Sequence, residues 1–256
     1  MRSRGTGASF RHREILATFR GCEILCTQTK YGGKQMRKAV QLCAVLGAMA
    51  FLPDRAAEAA THSAGGWTVT TGETVGANLT AVHVQAGWPG ISATLLYGYS
   101  PTVDLGGIFT FNYGAEGDTN LVHPGLKLQG LAKANLLNDP KYNLGVWFAP
   151  GGLVYFFGGN NGTVGGVALA TGLVFGLPVA SNVNIAFNFD IPLFIYFVSG
   201  YSGVGIPILF GGGVEYFLEK NMALTFNLRA GPIIYTASNA GTDFGLNALF
   251  GLAFKL

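Results

Sequence analysis

The sequence predicts an all-β protein: a closed antiparallel transmembrane β-barrel of about ten strands, with eight the main rival count. Three observations carry this. Charged residues are 11 % of the 256-residue chain and hydrophobic residues 49 %, where an ordinary soluble domain has about 25 % charge. Glycine is abundant, at 39 residues, and glycine disfavours helix interiors. Long stretches alternate apolar and polar residues with period two, which gives a strand one greasy and one polar face and gives a helix neither. So much apolar surface with so little charge also excludes disorder.

The early part of the chain has a different character. Ten of the 16 basic residues precede residue 60, as do all three cysteines, Cys22, Cys26 and Cys43. The remainder is slightly acidic and cysteine-free, which leaves no disulfide or thiolate metal site and no basic footprint for nucleic acid. Met36-Arg37-Lys38, the apolar run Ala39 to Leu52 and Ala57-Glu58-Ala59 read as the basic region, core and cleavage site of a secretory signal peptide over 36–59. The run is shorter than the roughly 20 residues a spanning helix needs. Cys43 sits inside it after Leu42, the wrong place for a lipid-attachment cysteine. Residues 1–35 are expected to be an upstream segment missing from the mature protein, with Met36 the better initiator. Residues 60–74 are expected as a periplasmic N-terminal tail, and 75–256 as the barrel.

The strands follow in order. The first, 75–87, changes phase around Ala81 to Val84, where a bulge would fit. A Pro89-Gly90 link leads to 91–99, and Ser100-Pro101-Thr102 to 103–113. A loop from Gly114 to His123 precedes 124–137, which turns at Asn138-Asp139-Pro140-Lys141 into 142–157. Strand 164–177 turns at Pro178 to Asn182 into 183–197, where odd positions from Val183 to Ile191 are apolar and Asn184, Asn188 and Asp190 face the other way. Strands 205–217 and 222–236 flank Leu218-Glu219-Lys220-Asn221, and 243–256 ends the chain. Most reach the 9 to 11 residues of a tilted membrane strand. A polytopic helical protein fits less well. β-Branched and aromatic residues dominate, turn clusters recur about every dozen residues, and no basic loop sets an orientation.

Lipid cannot satisfy an open sheet edge, so such strands must close. Tight turns at one end and longer links at the other place both termini on one side, as an even strand number requires. Tyr97, Tyr99, Tyr142 and Tyr216 would form one interfacial girdle and Trp88, Tyr113, Tyr155, Tyr196 and Tyr235 the other. Strand parity points Asp104, Asn112, Lys127, Gln129, Lys133, Asn184, Asn188, Asp190, Glu215, Asn227, Arg229 and Lys255 into the lumen. Four cations there nearly balance three anions, so pairing across the lumen is expected. Inward Gly106, Gly172, Gly176, Gly211 and Gly213 would leave space for a narrow path, and about ten strands allows no wide channel.

The signal segment, strand-turn-strand units such as Gly213 to Leu224, and a last strand with alternating apolar residues resemble the small outer-membrane β-barrel proteins of Gram-negative bacteria, the porin-like and opacity-type set. The resemblance covers about 75–256 as a pattern. It implies the outer membrane, its lipids, periplasmic chaperones and the barrel assembly machinery as surroundings. That group usually ends in an aromatic residue, whereas here Leu256 is last and Phe254 lies two back. Outer-membrane lipid A deacylases use a His-x-Ser pair that neither His83 nor His123 supplies. No cofactor is implied, and Glu116, Asp118 and Asn120 are too few oxygen ligands for Ca²⁺ by themselves. The expected function is a narrow pore for small solutes or ions, with no enzymatic activity. The alternatives are a closed structural or surface-interaction barrel, and a hydrolase at the rim using Glu116, Asp118, Asp243 and His123 to activate water.

Overall fold

The computed structural model describes residues 63–120, 122–156, 162–198, 201–236 and 241–256. Eleven strands form one sheet: β1 (Thr80–Trp88), β2 (Gly90–Ser100), β3 (Val103–Asn112), β4 (Gly125–Asp139), β5 (Tyr142–Phe156), β6 (Thr163–Ala180), β7 (Val183–Val198), β8 (Tyr201–Pro207), β9 (Leu209–Glu219), β10 (Met222–Thr236) and β11 (Gly241–Lys255). β8 and β9 are two lengths of one barrel strand. Both lie between β7 and β10 in the same register, and Ile208 between them still donates its N–H to the Pro232 carbonyl (2.9 Å). Every neighbour is antiparallel, and β11 pairs with both β10 and β1, so a ten-stranded barrel closes without a free edge.

The outer face is apolar along its whole circumference. Phe109, Leu128, Phe187, Phe210 and Phe250 are 48 to 67 % exposed, and such a surface is stable in contact with lipid, not water. Tyr97, Tyr99, Tyr142 and Tyr216 stand exposed near the turn end, as a girdle requires. Among the described residues no helix is long and apolar enough to cross a membrane.

Two expectations are corrected here. β1 begins at Thr80, five residues later than the alternation suggested, and the phase change near Ala81 marks the start of the strand. Register shifts fall elsewhere, at Gly98/Ser100, Asn135/Leu137, Pro178/Ala180 and Met222/Ala223, beside the tight turns. The second correction concerns the girdle at the loop end. Tyr155 is 1 % exposed and Tyr196 and Tyr235 pack beside it against Phe194, all inside the barrel. Trp88 and Tyr113 do meet edge to face, 5.6 Å between ring centroids.

Candidate functional site

The lumen has a floor, a chamber and a roof. The floor is residues 63–75, which do not trail away as a tail. The Ser63 N–H donates to Glu73 Oε2 (2.8 Å), closing the neck of a loop whose tip, Val69 to Thr71, reaches up into the lumen. Trp67, Thr68, Thr71, Glu73, Thr74 and Val75 are each 1 % exposed or less. A buried loop must find partners for its backbone groups, and the wall supplies them. Glu215 accepts from Thr68 Oγ1 (2.6 Å) and the Val69 N–H (3.1 Å), Asn143 Oδ1 from Gly72 (2.8 Å), Asn184 Oδ1 from Ala64 (3.0 Å) and Asp104 from Val75 (3.1 Å). Asn135 Nδ2 donates to the Gly72 carbonyl (3.0 Å), and the Trp67 indole donates to the Lys220 carbonyl (2.9 Å). Trp67 packs edge-on against Phe217, and the Lys255 ammonium lies 5.9 Å from its ring centre. Close backbone approach demands glycine at one point: a Cβ on Gly72 would meet the Gly145 nitrogen at 2.4 Å.

The roof is the chain after β3, folded inward through a single 3-10 turn, Ala115–Gly117. Glu116 and Asp118 are 6 % and 0 % exposed, so these acids are not solvated at a rim. Glu116 pairs with Lys127 (2.7 Å) and accepts from the Tyr155 hydroxyl (2.8 Å); Asp118 accepts from the Tyr235 hydroxyl (2.6 Å). Asp243 is linked to this group through the Asn120 side-chain amide (3.1 Å), and His123 is half-buried. Among the described residues no cluster could hold a metal ion.

Between floor and roof lies a cavity of about 240 Å³. Of the residues that parity points inward, Lys127, Gln129, Lys133, Asn188, Asn227, Arg229 and Asn112 line it, while Asn184 and Glu215 lie below, bound to the floor. Lys255 stands at the lower mouth over Trp67. Sequence reasoning missed His83, Gln85, Trp147 and Asn247, which also line the cavity. Parity extended along β1, β5 and β11 would have found them and Tyr155, as parity along β7 and β10 would have found Tyr196 and Tyr235.

The charges pair, though not across the lumen as expected. Lys133 meets Asp104 (3.1 Å) directly opposite it on the neighbouring strand, Arg229 meets Asp190 (2.8 Å), and Lys127 meets the roof. Among the described residues Glu215 has no cation within salt-bridge reach, and it is satisfied by hydrogen bonds from the floor and Asn184. The inward glycines leave no path either. A Cβ on Gly172 would meet Asp190 Oδ1 at 2.2 Å, one on Gly176 would meet Asn143 at 2.3 Å and Thr71 at 2.5 Å, and one on Gly213 would meet Asn227 at 2.4 Å. Their space is filled by polar side chains and by the floor loop.

Strand pairing and an apolar exterior thus define an outer-membrane type of β-barrel. No family model and no curated protein matches the chain. It is similar to the solved structures of the outer membrane protease OmpT from Escherichia coli (10 % identity, 70 % of this chain and 97 % of that one, TM-score 0.45) and of KdgM porin in complex with disordered oligogalacturonate (10 % identity, 69 % and 98 %, TM-score 0.27). One expectation is overturned by these findings. The expectation of a chain without enzymatic activity is withdrawn: missing motifs do not exclude an activity, and one of the two solved structures just named is that of a protease.

Proposed function

We propose that the chain is a bacterial outer-membrane barrel of the porin-like kind, working as a narrow pore for small solutes that its own floor loop holds shut. Export through the signal segment 36–59 and a mature start at Ala60 belong to this reading, as does insertion by the barrel assembly machinery; those residues lie outside the described part of the chain. The observation that carries it is the chamber, lined by amides, hydroxyls and three basic side chains among apolar ones such as Ile108, Leu131 and Leu249, directly above a floor held mainly by hydrogen bonds. A structural barrel needs only to fill its lumen, which apolar side chains do well; this one keeps a partly polar space and closes it with a separate segment.

Planar-bilayer recording tests the proposal. Residues 60–256 should show little conductance, and a variant lacking 63–75 should conduct, provided that both migrate as folded barrels on an unheated gel. Silence from both would favour a closed structural barrel.

A further inference from the structure

The chamber wall carries its charges in a fixed orientation. The groups with charge that line it are Lys127, Lys133, Arg229 and Glu116, with His83 beside them. Two of the three carboxylates that neutralise the cations are set behind them in the wall. Asp104 is 0 % exposed behind Lys133, and the Asp190 side chain is 2 % exposed behind Arg229, whose own side chain is 27 % exposed. The Arg229–Asp190 pair is neutral in sum but turns its more exposed, positive end toward the chamber, in surroundings where charges are weakly screened, whereas the Lys133 ammonium is buried against Asp104. Arg229 Nη1 forms an ion pair with Asp190 Oδ2 at 2.8 Å, and the guanidinium, whose side chain is partly exposed, keeps donors that no protein group takes and that suit a carboxylate. Around it stand uncharged groups that both donate and accept, Gln85, Asn188, Asn227 and Asn247, and the Trp147 indole lies on the Asp190 side of the pair, next to Gly172.

We propose that the chamber binds a small polar organic anion, a carboxylate bearing hydroxyl or amide groups, with Arg229 as its principal contact. A volume of about 240 Å³ is below the usual range for drug-sized ligands and fits a solute of about a dozen heavy atoms or fewer. The inference deepens the pore reading by giving the pore a substrate class, but binding at the chamber does not require passage, and the two fail separately.

Equilibrium dialysis of the whole mature protein in detergent micelles, with lactate as probe and glycerol, ethanolamine and chloride as comparators, tests it. Lactate should bind saturably, glycerol and ethanolamine should not, and chloride should compete at least tenfold more weakly than lactate. R229Q should weaken lactate binding at least tenfold. Because that change strands Asp190, the double variant D190N/R229Q is measured beside it, with folding checked on an unheated gel; it should also lose binding. D190N alone should bind lactate more tightly, since it releases Arg229, an outcome that a merely structural pair would not give. Equal binding of glycerol or ethanolamine, chloride competing as well as lactate, or lactate binding that D190N/R229Q leaves intact would overturn the proposal. Conductance without lactate binding would leave the pore and remove this substrate; lactate binding without conductance would do the reverse.

Discussion

The two ends of the lumen are closed by different chemistry. At the turn end, a loop outside the sheet presents backbone N–H groups, and the wall answers with Glu215, Asp104, Asn143 and Asn184. At the loop end the closure is mostly aromatic: Phe194, Tyr155, Tyr196 and Tyr235 fill the bore, and two tyrosine hydroxyls cap the buried acids of the roof. The roof is a continuation of β3 and β4, tied to the sheet on both sides. The floor joins the sheet through the short link from Val75 to Thr80. A closure built from hydrogen bonds to a tethered loop can come off as a unit, whereas one built from side chains of the strands cannot leave without deforming the barrel. The asymmetry makes the floor the movable end.

Four substitutions test that contrast. The largest effect is expected from Trp67→Ala, which empties the main apolar contact of the floor, against Phe217 and the buried Leu96. Truncating a fully buried tryptophan costs about 3–5 kcal/mol. Hydrogen exchange of amides 64–75 should rise by two or more orders of magnitude, while β-strand amides keep their protection. Glu215→Ala comes next. It removes an acceptor used by Thr68, Val69 and Asn184, and hydrogen bonds to charged groups contribute about 1.5–3 kcal/mol each. Some of this returns as relief from burying a carboxylate, so roughly a hundredfold rise in exchange over the same amides is expected, and Glu215→Gln should recover part of it.

At the other end, Tyr155→Phe removes a hydroxyl that serves Asn112, Glu116 Oε1 and the Glu116 N–H. A loss of about 1–2 kcal/mol follows, read as faster exchange at 115–118 with the floor unchanged. If floor and roof are independent, Glu215→Ala and Tyr155→Phe together should add within about 0.5 kcal/mol. A larger departure would show that the chamber couples them, and the contrast between a movable and a fixed end would break.

Most of the barrel was legible because lipid outside and polar groups inside impose period two on every strand. Where a strand carried a polar marker, as at Asn184 or Arg229, the inward face could be read directly. β5 offers only Asn143 at its lower end, so inward Tyr155 passed as a girdle aromatic and inward Trp147 was not picked out. The floor was illegible for another reason. Residues 63–75 have no periodicity because their partners are single side chains on β3, β4, β5, β7 and β9, and nothing local records that a glutamate 147 residues away accepts from Thr68. Glu215 and Asp104 therefore read only as anions expected to pair across the lumen, when both also hold the chain's own backbone.

The smallest expected effect comes from Gly130, and comparison with Gly172 separates the two faces of the wall. Gly130 on β4 points outward, and a Cβ there would meet nothing within 4 Å. Glycine within a strand is about 0.5–1 kcal/mol less stable than alanine for entropic reasons, so Gly130→Ala should leave folding unchanged or raise stability by a few tenths of a kcal/mol. Gly172 on β6 points inward, where the same methyl would fall 2.2 Å from Asp190 Oδ1 and 2.7 Å from the Trp147 indole nitrogen. Neither neighbour moves freely, because Asp190 is held by Arg229 at 2.8 Å. Gly172→Ala should therefore destabilise, by about 1–3 kcal/mol if the core rule for overpacking holds inside a barrel. The temperature at which each variant loses its folded gel mobility compares them: equal midpoints would mean that the chamber wall is as yielding as the lipid face, and the fixed charge orientation inferred for Arg229 would lose its structural basis.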